Sequence, residues 1–237
     1  MWWLALEAVI AQNEMIGVRL DGGDRWFECR SVKDKREVFD HIYTWLRQVP
    51  TEAELRHVMR ELSMRHRVDM PAFCADLCMG WDELATLAAD PLVTVGSATV
   101  NYPVLSNLRD DAALREMTMG MAVARAAFHR QIRHFAYPFG DAASWRRRHA
   151  VMVEEAGFVS AVSALPGVIE PAGRSNLFAL PRISWDGRLR SLRAMRVILS
   201  GAMLSRSPVP ALGRGELGSN AGAEARPKAR SDAAFED

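Results

Sequence analysis

Helical and strand-forming patterns alternate along residues 81–184, and this alternation restricts the fold more than any other feature of the sequence. The runs expected to form buried strands are residues 92–96, 133–137 and 158–162. The stretches expected to form helices are residues 81–88, residues 110–130 with Asp110 as the cap, residues 144–156 and residues 187–200. Elements that alternate at this spacing are joined by right-handed crossovers, which place the strands parallel. The expected fold class is therefore α/β, with a parallel sheet or a (β/α) barrel.

The N-terminal part of the chain has a different pattern, a set of helices with one hairpin. A helix is expected over residues 1–13, and a hairpin over residues 15–29 with its turn at Asp21-Gly22-Gly23-Asp24. Ser31 is expected to cap the next helix. Thr51, with Glu54 three residues later, has the spacing of a capping box for the following one.

These patterns predict three segments. Residues 1–70 form a helical insertion with a hairpin, packed on a partial (β/α) barrel of residues 71–204, and residues 205–237 form a tail. The chain has 237 residues and is 49% hydrophobic, which is enough for one substantial core. The tail has few large apolar side chains. It is expected to be disordered, because it buries too little surface to offset the entropy cost of ordering.

Charge and hydropathy exclude several classes of partner. Lys and Arg number 30 and Asp and Glu number 29, so the net charge of +1 provides no bulk attraction to nucleic acid or to an anionic membrane. The basic run Arg146-Arg147-Arg148-His149 is expected to be a solvated helix face. The apolar residues 1–10 are fewer than the ~20 that a membrane span needs, and they lack a basic leader. We expect no nucleic-acid partner, no membrane span and a cytoplasmic location.

The three cysteines, Cys29, Cys74 and Cys78, exclude a disulfide framework and a zinc finger, because their number is odd and no Cys-x-x-Cys spacing occurs. Cys74 and Cys78 are four residues apart, a spacing that would place them on one face if the segment were helical. We expect both to be buried structural thiols.

Chemistry in a parallel barrel takes place just after the C-terminal ends of the strands. Here these positions are residues 97–103 and residues 137–141, two turn-rich segments with polar and aromatic side chains that suit a sugar groove. The residues expected to contact a substrate are Thr99, Asn101, Tyr102, Tyr137, Pro138, Phe139 and Gly140. For Tyr137 and Phe139, ordinary packing is the alternative.

Several motifs in these segments resemble those of a known family. Residues 81–106, centred on Ser97-Ala98-Thr99-Val100-Asn101-Tyr102-Pro103, resemble the second motif region of the polysaccharide deacetylases. These are the family 4 carbohydrate esterases, which include the chitooligosaccharide deacetylases. Residues 133–141 resemble the third motif of the family, and residues 155–162 and 180–183 match its order and spacing. The N-terminal eighty residues resemble a helical insertion of some bacterial members.

The resemblance implies a distorted (β/α) barrel that hydrolyses the carbon–nitrogen bond of N-acetylated sugars. The family uses zinc or another divalent metal, held by one Asp and two His, to polarise the carbonyl and activate water. The positions of the two His, spaced i and i+4, are occupied by Ala98 and Tyr102. A methyl group cannot bind zinc, and a neutral phenol is a poor replacement for imidazole. No catalytic residue, metal ligand or cofactor is therefore expected in this chain.

The first motif of the family, a Thr-Phe-Asp-Asp-Gly segment that supplies the base and the third ligand, is absent. The two Asp-Gly pairs are Asp21-Gly22 in the expected hairpin turn and Asp186-Gly187 near the end of the fold. We therefore expect the chain to begin after the first one or two strands of the barrel. No His pairs with a second His and a carboxylate at ligand spacing, and His129 and His149 are expected on helical surfaces.

Three hypotheses follow. The first is a polysaccharide deacetylase, a hydrolase that acts on N-acetylated oligosaccharide or polysaccharide with weak or absent activity. The second is a carbohydrate-binding or regulatory protein without catalysis, in which Tyr102, Tyr137 and Phe139 carry the binding. The third is a non-functional fragment that folds poorly, because open sheet edges and an apolar Trp2-Trp3 face promote aggregation.

Overall fold

The structure, a computed structural model, describes residues 2–20, 22–170, 175–185, 191–201 and 204. The helices are α1 (Trp2–Gln12), α2 (Val32–Leu46), α3 (Glu52–Arg65), α4 (Met70–Leu77), α5 (Trp81–Ala89), α6 (Asp110–Phe128), α7 (Arg147–Glu155) and α8 (Leu192–Leu199). The strands are β1 (Met15–Leu20), β2 (Gly23–Glu28), β3 (His134–Ala136) and β4 (Ser160–Val162). No helix in the described ranges has the length and hydropathy to cross a membrane.

The N-terminal hairpin is confirmed. Strands β1 and β2 pair antiparallel, from Met15 opposite Glu28 to Leu20 opposite Gly23. The turn contains Gly22 at a φ of +82°, a left-handed conformation that glycine adopts without steric cost. Asp21 lies outside the described residues. Helix α1 packs against the hairpin and against α2 and α3.

The expected helix cap at Ser31 is confirmed, and the one at Thr51 is confirmed in part. The Ser31 hydroxyl accepts the Asp34 N–H, while the Asp34 carboxylate accepts the Ser31 N–H at 2.8 Å. The Thr51 hydroxyl accepts the Glu54 N–H at 3.2 Å, but the Glu54 carboxylate accepts from the Thr51 hydroxyl and not from its backbone. Helix α3 therefore has one of the two hydrogen bonds of a capping box, the one from the Glu54 N–H to the Thr51 hydroxyl. Helix α4, which follows it, is an element that the sequence patterns did not predict.

The second half of the chain contains the expected parallel strands. Strand β3 pairs parallel with β4, Ser97 forms a parallel bridge with Phe135 on one side, and Leu180 forms one with Val162 on the other. Four segments thus lie side by side in one direction. The mixed helix and strand architecture is as expected, and no closed barrel is detected in the described part of the chain.

The prediction of a strand at residues 92–96 is wrong. Leu92 is 92% exposed, and the first pairing of this segment occurs at Ser97, whose N–H donates to the His134 carbonyl at 2.8 Å. Asp90 explains the difference. Its carboxylate accepts the Leu92 N–H at 2.8 Å and its carbonyl accepts the Val93 N–H at 3.0 Å. This local turn uses the backbone donors that a strand would have needed.

Helix α6 begins one residue earlier than expected, because Asp110 was expected to be its cap. Arg109 occupies the N-cap position without a side-chain cap, and Asp110 is the first helical residue. A carboxylate in the first turn is still favourable, because it faces the positive end of the helix dipole. Asp110 also forms an ion pair with Arg148 of α7 at 2.9 Å, which ties the two helices together.

Two clusters of buried apolar side chains stabilise the fold. The first contains residues of α1, α2, α3 and the hairpin, with Leu6, Ile42 and Met59 fully buried. The second is built around β3, β4, α6 and α7, with Phe135 and Met117 at its centre. The division into segments at residues 70 and 204 remains a prediction, and the tail at 205–237 lies outside the described residues.

Candidate functional site

The loop at residues 97–103 is held from two sides. Glu116 of α6 accepts the Asn101 backbone N–H at 2.9 Å and the Asn101 side-chain N–H at 2.7 Å. Arg56 of α3 donates to the Asn101 side-chain oxygen at 2.9 Å. Because Asn101 uses both ends of its amide on these partners, it positions the loop between α3 and α6.

The same loop approaches α6 so closely that the helix needs a glycine there. A Cβ atom built on Gly120 would lie 2.2 Å from the Ala98 carbonyl oxygen. Since real atoms do not approach to this distance, only glycine at this position allows the helix to lie against the loop. The glycine therefore determines the depth at which residues 97–103 sit.

Tyr102 and Phe139 face each other, and both have left-handed backbone conformations. The φ angle is +58° at Tyr102 and +59° at Phe139. The Phe139 N–H donates to the Tyr102 hydroxyl at 3.3 Å, and the two ring centroids lie 5.2 Å apart. The Tyr102 N–H donates to the Thr99 hydroxyl at 3.1 Å. Left-handed conformations of bulky residues cost about 1–2 kcal/mol each and concentrate at functional sites.

Trp3 of α1 completes a surface that we call the aromatic patch, consisting of Trp3, Tyr102 and Phe139. The Trp3 ring lies 5.9 Å from the Tyr102 ring and 5.9 Å from the Phe139 ring. Tyr102 is 42% exposed, whereas Trp3 and Phe139 are half-buried. Trp2 supports the patch from below, with its ring 6.4 Å from that of Phe139. The N-terminal helix and the two strand-end loops thus build one surface.

An ion pair lies beside the aromatic patch. The Arg47 guanidinium binds both carboxylate oxygens of Asp141, at 2.8 and 3.0 Å, and lies 4.8 Å from the centre of the Phe139 ring. Partial burial raises the pKa of Asp141, but the hydrogen bonds and the charge of Arg47 outweigh this effect and hold that pKa below its usual value. Asp141 is therefore ionised near neutral pH, and its negative charge is already matched.

A small cavity of about 30 Å³ adjoins the patch, with Trp2, Tyr102, Asn107 and Phe139 in its lining. This volume is about that of one water molecule in the liquid. The site is therefore a shallow surface with an aromatic face. It can support stacking of a flat or ring-shaped ligand, but it does not enclose one.

The structure brings some of the predicted contact residues to this surface and places others in the core. Tyr102 and Phe139 form the patch. Tyr137 is 2% exposed, its ring stacks on Trp145 at 4.3 Å, and its hydroxyl donates to the Phe178 carbonyl at 2.7 Å. Burial accordingly raises the pKa of Tyr137. Tyr137 is therefore packed in the core, which is the alternative given above to a role in substrate contact. Thr99, Pro138 and Gly140 are buried as well.

Three residues near the site were not among the predicted contact residues: Trp3, Arg47 and Glu116. The adjacent Trp2 and Trp3 were visible in the sequence as an apolar face that needed a partner, but the partner was not. Arg47 and Glu116 belong to helices that are distant in sequence from the loops they contact. No local pattern indicates such contacts.

The residues at the expected metal positions do not fit a zinc site. Ala98 has only a methyl group, and the Tyr102 hydroxyl already accepts the Phe139 N–H. Within the described ranges, no group of three or more His, Cys, Asp or Glu side chains has the arrangement of a metal site. The expectation that His149 lies on a helical surface is wrong, because its side chain is fully buried and its Nδ1 accepts the Arg146 N–H at 2.9 Å.

Comparison with known proteins gives similarity at the level of structure. No family model matches the chain, and no curated protein matches it. A Bacillus anthracis protein described as a polysaccharide deacetylase is 13% identical with a TM-score of 0.39, over 44% of this chain and 32% of that protein. The Streptococcus pyogenes deacetylase PplD, solved in complex with acetate, is 13% identical with a TM-score of 0.45, over 61% of this chain and 64% of that protein. The chain thus spans less than two thirds of either structure.

Proposed function

We propose that this chain is a protein of the polysaccharide deacetylase type that binds N-acetylated oligosaccharide or polysaccharide at the aromatic patch, with weak or absent hydrolysis of the acetamide carbon–nitrogen bond. The observation that carries the proposal is the position of Tyr102. Its partly exposed ring, in a left-handed conformation, lies in the loop where the sequence resembles the second deacetylase motif.

The aromatic patch supports the binding part of the proposal. The apolar face of a pyranose packs against an aromatic face, and Tyr and Trp combine such a face with a polar group at the edge. The Tyr102 hydroxyl accepts the Phe139 N–H, and its own proton remains for donation to a sugar hydroxyl or to the acetamide carbonyl. A shallow open site also suits a chain of sugar rings better than a single small molecule.

The side chains at the motif positions support the part of the proposal that concerns hydrolysis. Ala98 and Tyr102 stand where the resemblance places the two His that bind the metal. Neither replaces an imidazole, because zinc in proteins binds imidazole, thiolate and carboxylate. The second candidate, an active deacetylase, rests on the motif resemblance alone.

Binding and hydrolysis are tested together with chitotetraose, an N-acetylglucosamine tetramer. Calorimetric titration of the full chain is expected to show saturable binding, and an acetate-release assay with added zinc is expected to show no turnover. Tyr102→Ala is expected to weaken binding by about five- to twelvefold, since one stacked aromatic ring contributes roughly 1–1.5 kcal/mol.

Trp26→Ala provides the matched control, because Trp26 is an exposed aromatic residue on the hairpin strand β2, outside the aromatic patch. Its affinity for chitotetraose is expected to equal that of the unaltered chain. Acetate release that depends on zinc would favour the active enzyme. Absence of binding in a chain that melts cooperatively would contradict both carbohydrate functions, and aggregation without a cooperative melt would favour the fragment hypothesis.

A further inference from the structure

Cys74 and Cys78 are both exposed free thiols, which overturns the expectation that they are buried. They lie at one end of α4, where Cys74 is in the last turn and Cys78 is the C-cap residue. The third cysteine, Cys29, is buried, and burial raises the pKa of its thiol. The two exposed thiols have no packing role that accounts for them.

The helix holds the two cysteines at a defined separation. The Cys78 N–H donates to the Cys74 carbonyl at 3.0 Å, which is the i to i+4 hydrogen bond of an α-helix. Four residues at 1.5 Å rise place the two Cα atoms about 6 Å apart. Cys78 is the C-cap residue and its own backbone is extended (φ −105°, ψ 133°), so only the position of its Cα follows the helix. The two Cβ atoms are separated by about 5–6 Å.

This separation favours a metal ion bound between the two sulfurs over a disulfide bond between them. A disulfide requires the Cβ atoms to lie about 3.5–4.5 Å apart, closer than helical spacing provides. A metal ion between two thiolates, at about 2.3 Å from each, places the sulfurs about 4.6 Å apart. Helical spacing reaches that distance without a change in the backbone.

The number and type of ligands at Cys74 and Cys78 indicate which metal ion the pair would bind. No third His, Cys, Asp or Glu completes a ligand group with these thiols within the described ranges. Zn²⁺ requires four ligands and hard cations require oxygen, so two thiolates alone satisfy neither. Cu(I) is soft, binds thiolates strongly and is stable with two ligands in a line.

We propose that Cys74 and Cys78 form a two-thiolate site for Cu(I). Binding replaces the two thiol protons by one cuprous ion, so that two thiols and Cu⁺ give a bis-thiolate complex of charge −1 and two released protons. No electron is transferred. The site lies on α4, not among the residues of the aromatic patch, and does not depend on carbohydrate binding.

The test is an anaerobic titration of the reduced full chain with Cu(I) against the chromogenic chelator bathocuproine disulfonate. We expect one copper per chain, together with an ultraviolet thiolate-to-copper absorption band. Cys74→Ser and Cys78→Ser are each expected to bind about 100-fold more weakly or worse, because the advantage of the second linked ligand is lost. Cys29→Ser is the control and is expected to bind like the unaltered chain.

Alkylation of the native chain with iodoacetamide gives a second measurement that does not depend on the folding of any variant. The exposed thiols react while Cys29 is protected by burial, so copper binding is expected to disappear. Equal affinity after alkylation or in the two single variants would overturn the proposal. One copper per two chains would also overturn it, since the ion would then bridge different molecules.

Discussion

At the scale of single residues, the chain contains a histidine whose role differs from that suggested by its neighbours in sequence. His149 follows three arginines, yet its side chain is fully buried against the second core cluster. Its Nδ1 accepts the Arg146 N–H at the start of α7, and its Nε2 is buried without a partner. Burial, with a smaller contribution from Arg148, lowers the pKa of His149 to about 4.

The low pKa makes stability depend on pH in a defined direction. The folded state holds His149 neutral, whereas the unfolded chain binds a proton below a pKa of about 6.5, so stability falls as the pH drops from 6.5 toward 4. Between pH 7 and pH 5 the loss is expected to be about 2 kcal/mol. Denaturant unfolding at the two pH values measures it.

His149→Gln is the matched variant for this experiment. Glutamine at the third helical position accepts the same backbone N–H but does not titrate. The difference in unfolding free energy between pH 7 and pH 5 is expected to shrink by about 2 kcal/mol in the variant. An unchanged pH dependence would show that His149 has the same pKa in the folded protein as in the unfolded chain.

At the scale of elements, the contact between α6 and the loop at residues 97–103 determines the geometry of the aromatic patch. Gly120 allows the helix to touch the Ala98 carbonyl, and Glu116, one turn earlier, holds both N–H groups of Asn101. The loop that presents Tyr102 is therefore positioned by helices α3 and α6, because the segment before it, residues 92–96, does not form a strand.

Gly120→Ala is expected to destabilise the protein by about 1–3 kcal/mol, because the added methyl group overlaps the Ala98 carbonyl and pushes the loop outward. In an unconstrained helix, the same change stabilises by about 0.5–1 kcal/mol. Thermal unfolding of Gly120→Ala and of Gly23→Ala provides the comparison, since the nearest atom to a Cβ at Gly23 is 3.9 Å away. A stabilised Gly120→Ala protein would contradict the close contact.

At the scale of the whole molecule, a small set of contacts joins the two core clusters. Arg47 at the end of α2 binds Asp141 after β3, and its backbone carbonyl accepts the Asn107 side chain at 2.7 Å. The tilted contact of the Trp2 ring and the edge-on contact of the Trp3 ring with Phe139 add apolar contact at the same place. The aromatic patch thus lies on the seam between the helical half and the parallel strands.

The ion pair is expected to couple the two halves energetically. A double-mutant cycle of Arg47→Met and Asp141→Asn is expected to give a coupling energy of about 1–2 kcal/mol, because the Arg47 side chain is only 18% exposed and the pair is bidentate. The contribution is present above the ordinary carboxyl pKa of about 4 and is lost as the pH falls through the lower folded pKa of Asp141.

The exposed pair of Arg109 and Asp111, at 3.2 Å, is the control for this cycle. Its coupling energy is expected to be about 0–0.5 kcal/mol, since solvent screens exposed pairs. A coupling at Arg47 and Asp141 no larger than that of the control would mean that the ion pair does not join the clusters.

The local elements and the chemistry of the motif positions are specified by residues that are neighbours along the chain. The hairpin, the helix that starts at Ser31 and the parallel order of β3 and β4 follow from periodicity and turn residues, which act over a few positions. The identity of Ala98 and Tyr102 is likewise plain from the motif spacing. These features depend on neighbours along the chain.

The tertiary structure decided which side chains meet. Tyr137 and Phe139 are two residues apart, yet one lies inside the core and the other in the aromatic patch. Trp3 and Arg47 reach the site from parts of the chain far away in sequence, and Glu116 from a helix that follows the loop. Cys74 and Cys78 are exposed because the described residues of α4 after Met70 are all exposed. Local patterns do not encode these outcomes, because burial is determined by packing between distant segments.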